Sequence, residues 1–307
     1  MRIVFFGTPA FAVPSLQALL QGRFTVAGVV TQPDKPQGRS RSELIAPPVK
    51  IAALAAGIPV LQPIRPVGDV FTASLRRLEP DLGVVVAYGH ILRPEVLELP
   101  PRGMINVHAS LLPRHRGAAP VQQAILSGDG QTGITIMQME EGLDSGPIIH
   151  RVATPIGPNE TAGSLSTRLA ELGATALVEA LSLLSGGLAR PQLQDDSLAT
   201  YAPKLDREVA RLVWNRDASA LVRQIRAFDP APGAWAQHNG STLKLFGARQ
   251  ATGAGEPGIV LEAGNELVIA AGTGAVAISE VQPAGKTRLP VHAWVRGRGI
   301  TTGKRLA

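Results

Sequence analysis

DLGVVVAYG occupies residues 81–89. Its apolar residues are consecutive, not alternating, and three adjacent valines favour extended backbone, so the run reads as a strand buried on both faces. A strand covered on both sides needs helices above and below it. The surrounding chain supplies strand and helix signals in alternation. RIVFFG (2–7) precedes helical PSLQALLQG, and TVAGVVTQ (25–32) precedes VKIAALAAG, which Gly57 closes. IPVLQP (58–63) then leads into DVFTASLRRLEP, and INVHAS (105–110) into PVQQAILSG. TGITIMQM (132–139) is a further strand, and residues 161–187 carry a long helical pattern. This alternation predicts a doubly wound, Rossmann-like α/β domain with a parallel sheet over residues 1–187.

The pattern changes after residue 187. Residues 188–206 hold two prolines, many polar residues and little periodicity, as a linker does. Beyond them, one helical stretch (ASALVRQIRAF) is followed by AWAQHNG, STLKLFGA, GIVLEAG, ELVIAAG and AVAISEVQP. Short strands at this spacing with glycine turns predict a small β-barrel, OB-fold-like, over residues 207–307.

Charge divides along the same boundary. The net charge is +6, and residues 207–307 hold 13 Lys and Arg against 7 Asp and Glu, which accounts for the whole excess. Beyond Glu280 there are six cations and no acid. A basic region of this kind suits a polyanion such as nucleic acid, and equally a solubilising face. No apolar run approaches the roughly 18 residues that span a bilayer, so no membrane association is expected. The four-residue apolar run before Gly7 is too short for a signal peptide, and the cytoplasm is the expected location. With no cysteine in the chain, disulfides, thiolate nucleophiles and cysteine-bound metals are excluded.

The chemistry concentrates in INVHASLLPRHRGAAP, residues 105–120. On a strand, Asn106 and His108 project to one side, at the sheet end where open α/β folds place their ligands. An imidazole there can take a proton from a nucleophile, and an amide can donate to an oxygen gaining charge. A carboxylate that orients the imidazole completes such a set. EEGLDSGPII offers Asp144 between Gly142 and Gly146, glycines that would let backbone approach a ligand. Arg114, His115 and Arg116 flank the mouth of this site or form an ordinary basic turn. Gly7 reads as a tight turn and Thr8 as a helix cap, and the absence of G-x-G-x-x-G there disfavours nicotinamide chemistry. The histidines lack zinc-motif spacing, so no metal is expected. No G-x-S-x-G elbow is present, which favours direct transfer to a bound nucleophile.

These segments resemble the folate-dependent formyltransferases. The Asn-x-His pair followed by Ser-Leu-Leu-Pro, the GLDSGPI loop, FGTPAFAVPSL, VVTQPDKPQGR, TYAPKL, RAFDPAPGAW and QPAGK all carry the likeness, which covers essentially the whole chain. The resemblance implies transfer of the formyl group of 10-formyltetrahydrofolate to the methionine α-amine of initiator methionyl-tRNA. His108 would then assist deprotonation of the amine, Asn106 would bind the oxyanion, and Asp144 would orient His108. Ser110, Leu111, Leu112 and Pro113 match the folate-binding segment, with Ile91 and Leu92 as apolar walls for the pterin. The loop after the second strand implies tRNA contacts from Lys35, Arg39 and Arg41, and a monomer is expected. Two positions depart from the family pattern: His115 stands where an aromatic is usual, and Ser40-Arg41-Ser42 where Gly and Lys are usual. Two other readings compete. One is formyl transfer to a small amine such as an amino-sugar nucleotide, or hydrolysis of the formyl-folate. The other is a nucleic-acid-binding protein without catalysis.

Overall fold

The computed structural model describes residues 1–22, 24–37 and 43–307. Two compact units result. The first comprises Met1–Pro120, Thr132–Pro155 and Ser166–Ala202; the second comprises Val121–Gln131, Ile156–Leu165 and Pro203–Ala307.

The first unit is built on a seven-stranded sheet. In spatial order its strands are Ile148–Pro155, Gln131–Gln138, Met104–His108, Leu82–Val86, Arg2–Gly7, Thr25–Val30 and Val60–Leu61. The opening run behaves as its composition requires: all five residues of Leu82–Val86 are buried, as are five of six in Arg2–Gly7. Strands from Met104–His108 through Val60–Leu61 pair in parallel. Gln131–Gln138 runs antiparallel to Met104–His108, so the sheet is mixed, not wholly parallel. A buried antiparallel strand is as continuously apolar as a parallel one, which is why pattern alone does not separate them. The edge strand Ile148–Pro155 begins with two buried residues and then alternates half-buried and exposed positions, as an edge does.

Two details fix the sheet end where ligands bind. A Cβ on Gly7 would sit 2.7 Å from the Phe5 ring and 2.9 Å from the Ala12 methyl, so only glycine permits this turn. Thr8 caps no helix. Its hydroxyl donates to the Tyr88 carbonyl at 2.9 Å and lies 3.4 Å from the Gln32 amide, tying three parallel strands at their C-terminal ends.

Tyr88 itself is 1% exposed, in edge-to-face contact with Phe6 at 5.4 Å between centroids. Its phenol oxygen has no hydrogen-bond partner among the described residues, and burial pushes the phenol up to about 12. A phenol whose folded pKa is raised contributes stability that is complete below about pH 10 and lost as pH climbs towards 12. Tyr88→Phe should therefore cost no more than about 1 kcal/mol at pH 7 and should flatten the alkaline loss. Urea unfolding across that range checks this, and an unchanged alkaline slope would assign the loss to other groups.

The second unit joins a helix, Ala218–Ala227, to an antiparallel sheet in the order Trp235–His238, Ser241–Ala251, Ala275–Pro283, Leu267–Ala270, Val260–Ala263. Leu289–Pro290 adds a short pairing to Ala275–Pro283. Leu221, Ile225 and Phe228 from the helical segment share a core with Leu245, Ile269, Ile278 and Val281. This is the small barrel-like sheet expected of the C-terminal region. Residues 188–202 belong to the first unit. Gln192 bridges Ile148, and strand Tyr201–Ala202 pairs in parallel with Arg116–Gly117.

Candidate active site

Strand Met104–His108 delivers Asn106 and His108 to one side, at the sheet's C-terminal end. The loop after Gln131–Gln138 brings Asp144 to them. The Asp144 carboxylate accepts the Gly117 amide on Oδ2 at 2.8 Å and lies 3.5 Å from His108 Nδ1. Asn106 Nδ2 donates to its Oδ1 at 3.4 Å. The three residues expected to carry the chemistry therefore meet, although they are 38 positions apart in the chain at their widest. All of them lie in the first unit.

His108 is 5% exposed. Its Nε2 sits 2.9 Å from the His115 carbonyl, which only accepts, so Nε2 carries a proton in this arrangement. For Nε2 to receive a proton from a substrate, the ring must part from that carbonyl and hold its hydrogen on Nδ1 instead. Nδ1 faces the carboxylate, a second acceptor. Such a ring is held between two acceptors, and Asp144 sets its orientation.

Strained backbone marks the same place. Asp144 has φ +50° and His115 φ +61°, both left-handed without being glycine. Residues held in this way persist where their surroundings over-determine them, and they cluster at functional sites. The glycines that bracket Asp144 serve the loop itself. A Cβ on Gly146 would stand 2.1 Å from the Gln138 carbonyl, so the backbone closes on its own strand there and not on a ligand.

The segment that follows His108 is fixed from beneath. Thr135 Oγ1 donates to the Ser110 carbonyl at 2.6 Å and accepts the Leu112 amide at 3.1 Å. Arg151 donates to the Leu112 carbonyl at 3.0 Å, and Ser110 Oγ to the Arg114 carbonyl at 2.6 Å. Ser110 and Leu112 are fully buried, which leaves Leu111 and Pro113 as the half-exposed apolar faces. Of the basic run, only Arg114 reaches the surface; His115 and Arg116 are each 4% exposed. Hence the run is neither an ordinary basic turn nor a ring of cations round the mouth. Ile91 is exposed and Leu92 buried, on the loop leaving the neighbouring parallel strand.

Lys35 is exposed and opens a short hairpin, Lys35–Gln37 with Glu43–Ile45. At its base, Asp34 accepts from Gln62 at 2.7 Å and from Lys50 at 2.7 Å, bonds that hold its carboxyl below the usual carboxylate range. Arg39 and Arg41 lie outside the described residues. Among the described residues, no three His, Cys, Asp or Glu gather to hold a metal ion. No described helix is long and apolar enough to cross a membrane.

Sequence reasoning did not find Thr135, Arg151, Gln194 or Thr200. Polar residues on a strand or in a polar stretch carry no local signal, because their partners are distant in the chain.

An Asn-x-His strand end, a carboxylate at Nδ1 and a braced apolar segment supply the groups that acyl transfer between bound substrates calls for. The chain belongs to the formyl transferase family: residues 1–181 match "Formyl transferase" and residues 204–299 match "Formyl transferase, C-terminal domain". It is 47% identical to the methionyl-tRNA formyltransferase of Moorella thermoacetica, over 99% of this chain and 98% of that one. It is 50% identical to the methionyl-tRNA formyltransferase of Pseudomonas paraeruginosa, over 93% of each chain. In fold it resembles an N-formyltransferase from Helicobacter canadensis solved with folinic acid and dTDP-3-aminofucose. The TM-score is 0.69 at 18% identity, over 92% of this chain and 98% of that one.

Proposed function

We propose that this protein transfers the formyl group of 10-formyltetrahydrofolate to the α-amino group of initiator methionyl-tRNA. The observation that carries the reading is the meeting of Asn106, His108 and Asp144 in a chain whose full-length relatives are methionyl-tRNA formyltransferases. The amine nitrogen attacks the formyl carbon, and the carbonyl oxygen becomes an oxyanion. His108, as the neutral ring with its hydrogen on Nδ1 facing Asp144, takes on Nε2 the proton that the nitrogen sheds, once Nε2 has left the His115 carbonyl. Asn106 donates to the oxyanion with its amide. Asp144 holds His108 in orientation and balances its charge. Collapse breaks the bond to the folate nitrogen, which takes up a proton as it leaves.

The residues present suit a flat donor. Leu111 and Pro113 expose apolar faces beside the histidine strand on a segment that Thr135 and Arg151 hold rigid. Ser110 and Leu112, being buried, serve through backbone. To Lys35, Arg39, Arg41 and the cations of the C-terminal region we assign the binding of tRNA phosphates. The chain works in the cytoplasm, where charged tRNA and folates meet, and as a monomer.

Formylation of charged initiator tRNA by the purified protein tests this. Phosphate contacts release counterions, so the KM for tRNA should rise steeply with salt, about 10-fold or more between 50 and 200 mM. Equal turnover of free methionine or an amino-sugar nucleotide would instead establish a small-molecule formyltransferase.

A further inference from the structure

Between Gln192 and Thr200 every residue is exposed except two half-buried ones, Gln194 and Ala199. Gln194 turns its amide inward, and all its capacity is used. Nε2 donates to the carbonyls of Asp144 and Gly146, each at 2.8 Å. Oε1 accepts from Arg116 Nη2 at 2.8 Å and Nε at 3.1 Å. An amide has two hydrogens and two lone pairs, and here each has a partner. Arg116, almost wholly buried, is completed by Asp196 at 2.8 Å.

The two loops joined in this way are those that shape the site. One carries Asp144 in a left-handed conformation between glycines, which would leave it mobile if it were unsupported. The other carries His115, whose carbonyl meets His108, and Gly117, whose amide meets the Asp144 carboxylate. Thr200 grips this second loop as well. Its hydroxyl accepts the His115 amide at 2.9 Å and its carbonyl accepts the Arg116 amide at 2.8 Å. The polar stretch between the two sequence domains is thus a brace on the reacting groups, with Gln194 at its centre.

We propose that Gln194 is a positioning residue: by pinning the Asp144 and Gly146 carbonyls it holds the Asp144 carboxylate, and through it His108, in reacting geometry. The proposal rests on the role given to Asp144 above. Gln194 touches no substrate, so its loss lowers kcat and leaves substrate binding alone.

The test is steady-state formylation of charged initiator tRNA by Gln194→Ala, Gln194→Glu, Asp144→Asn and the Gln194→Ala/Asp144→Asn double variant. Circular dichroism and thermal melting accompany each. Gln194→Ala should lower kcat about 10- to 100-fold, the scale of a small misplacement of reacting groups, with both KM values nearly unchanged. Gln194→Glu still accepts from Arg116 but offers no hydrogen to the two carbonyls. It should therefore lose at least as much kcat while melting near wild type, which a merely structural role does not predict. In the Asp144→Asn background, Gln194→Ala should cost nothing further, because its route to the chemistry is already cut. Wild-type kcat in either single variant, or losses that multiply in the double, would overturn the proposal. A silent Asp144→Asn would overturn the reading of the site itself, and the brace with it; a severe Asp144→Asn beside a silent Gln194→Ala removes only the brace.

Discussion

His108→Ala should lower kcat for formyl transfer to charged initiator tRNA by about 10²- to 10⁴-fold, the range a positioned general base contributes. The ring is 5% exposed and held between the His115 carbonyl at 2.9 Å and the Asp144 carboxylate at 3.5 Å. Asp144 orients the ring through Nδ1, Nε2 meets the amine once it leaves the His115 carbonyl, and alanine leaves no group within reach of that proton. Alanine leaves the His115 carbonyl and the Asp144 carboxylate without this partner, so circular dichroism should accompany the rate measurement to show that the variant is folded. Both KM values should stay nearly constant, because the lost interaction is made in the transition state. Single-turnover formylation with saturating folate and tRNA measures the effect on chemistry alone. A rate within twofold of wild type would assign the proton to another base.

Asp144→Asn carries the second large effect, expected at about 10²- to 10⁴-fold in kcat by the logic of an orienting carboxylate. Asparagine fills the same volume and can still accept the Gly117 amide with its oxygen, as Oδ2 now does at 2.8 Å. What it loses is the charge facing His108 Nδ1, and its NH2 takes the Oδ1 position, where Asn106 Nδ2 also presents a hydrogen. The loop should remain in place, because Gln194 holds it by main-chain carbonyls that the substitution does not touch. Asp144→Asn and His108→Ala together should be little worse than the worse single variant, since they remove parts of one unit. Independent, multiplying losses would mean that Asp144 acts on something other than His108.

Much of this was legible from local pattern. Consecutive apolar residues in Leu82–Val86 announce a strand covered on both faces, and both faces are covered. Asn106 and His108 share a side because a strand repeats every two residues, a geometric necessity wherever INVH is extended. Asp144 stood out by its bracketing glycines, although one of them, Gly146, proves to serve the loop's own close approach to Gln138. Thr8 looked like a cap because Thr before a helix often is one, yet its hydroxyl is taken by the Tyr88 carbonyl 80 residues away. Arg116 looked like a surface cation because charge usually is one; its burial depends on Gln194 and Asp196, which lie nearly 80 residues further on.

The sequence by itself determined the strand and helix periods, the division between an α/β part and a barrel-like β part, and the candidate trio Asn106, His108 and Asp144. Each of these depends on spacing within one segment, where backbone geometry translates residue order directly into direction. Only the tertiary structure decided that Gln131–Gln138 runs antiparallel in the sheet, that Arg116 is buried, and that a polar stretch after the long helix grips the Asp144 loop. Those outcomes depend on which distant donor finds which acceptor once the chain is compact. A buried amide or guanidinium must be satisfied, but nothing in its own neighbourhood says by whom.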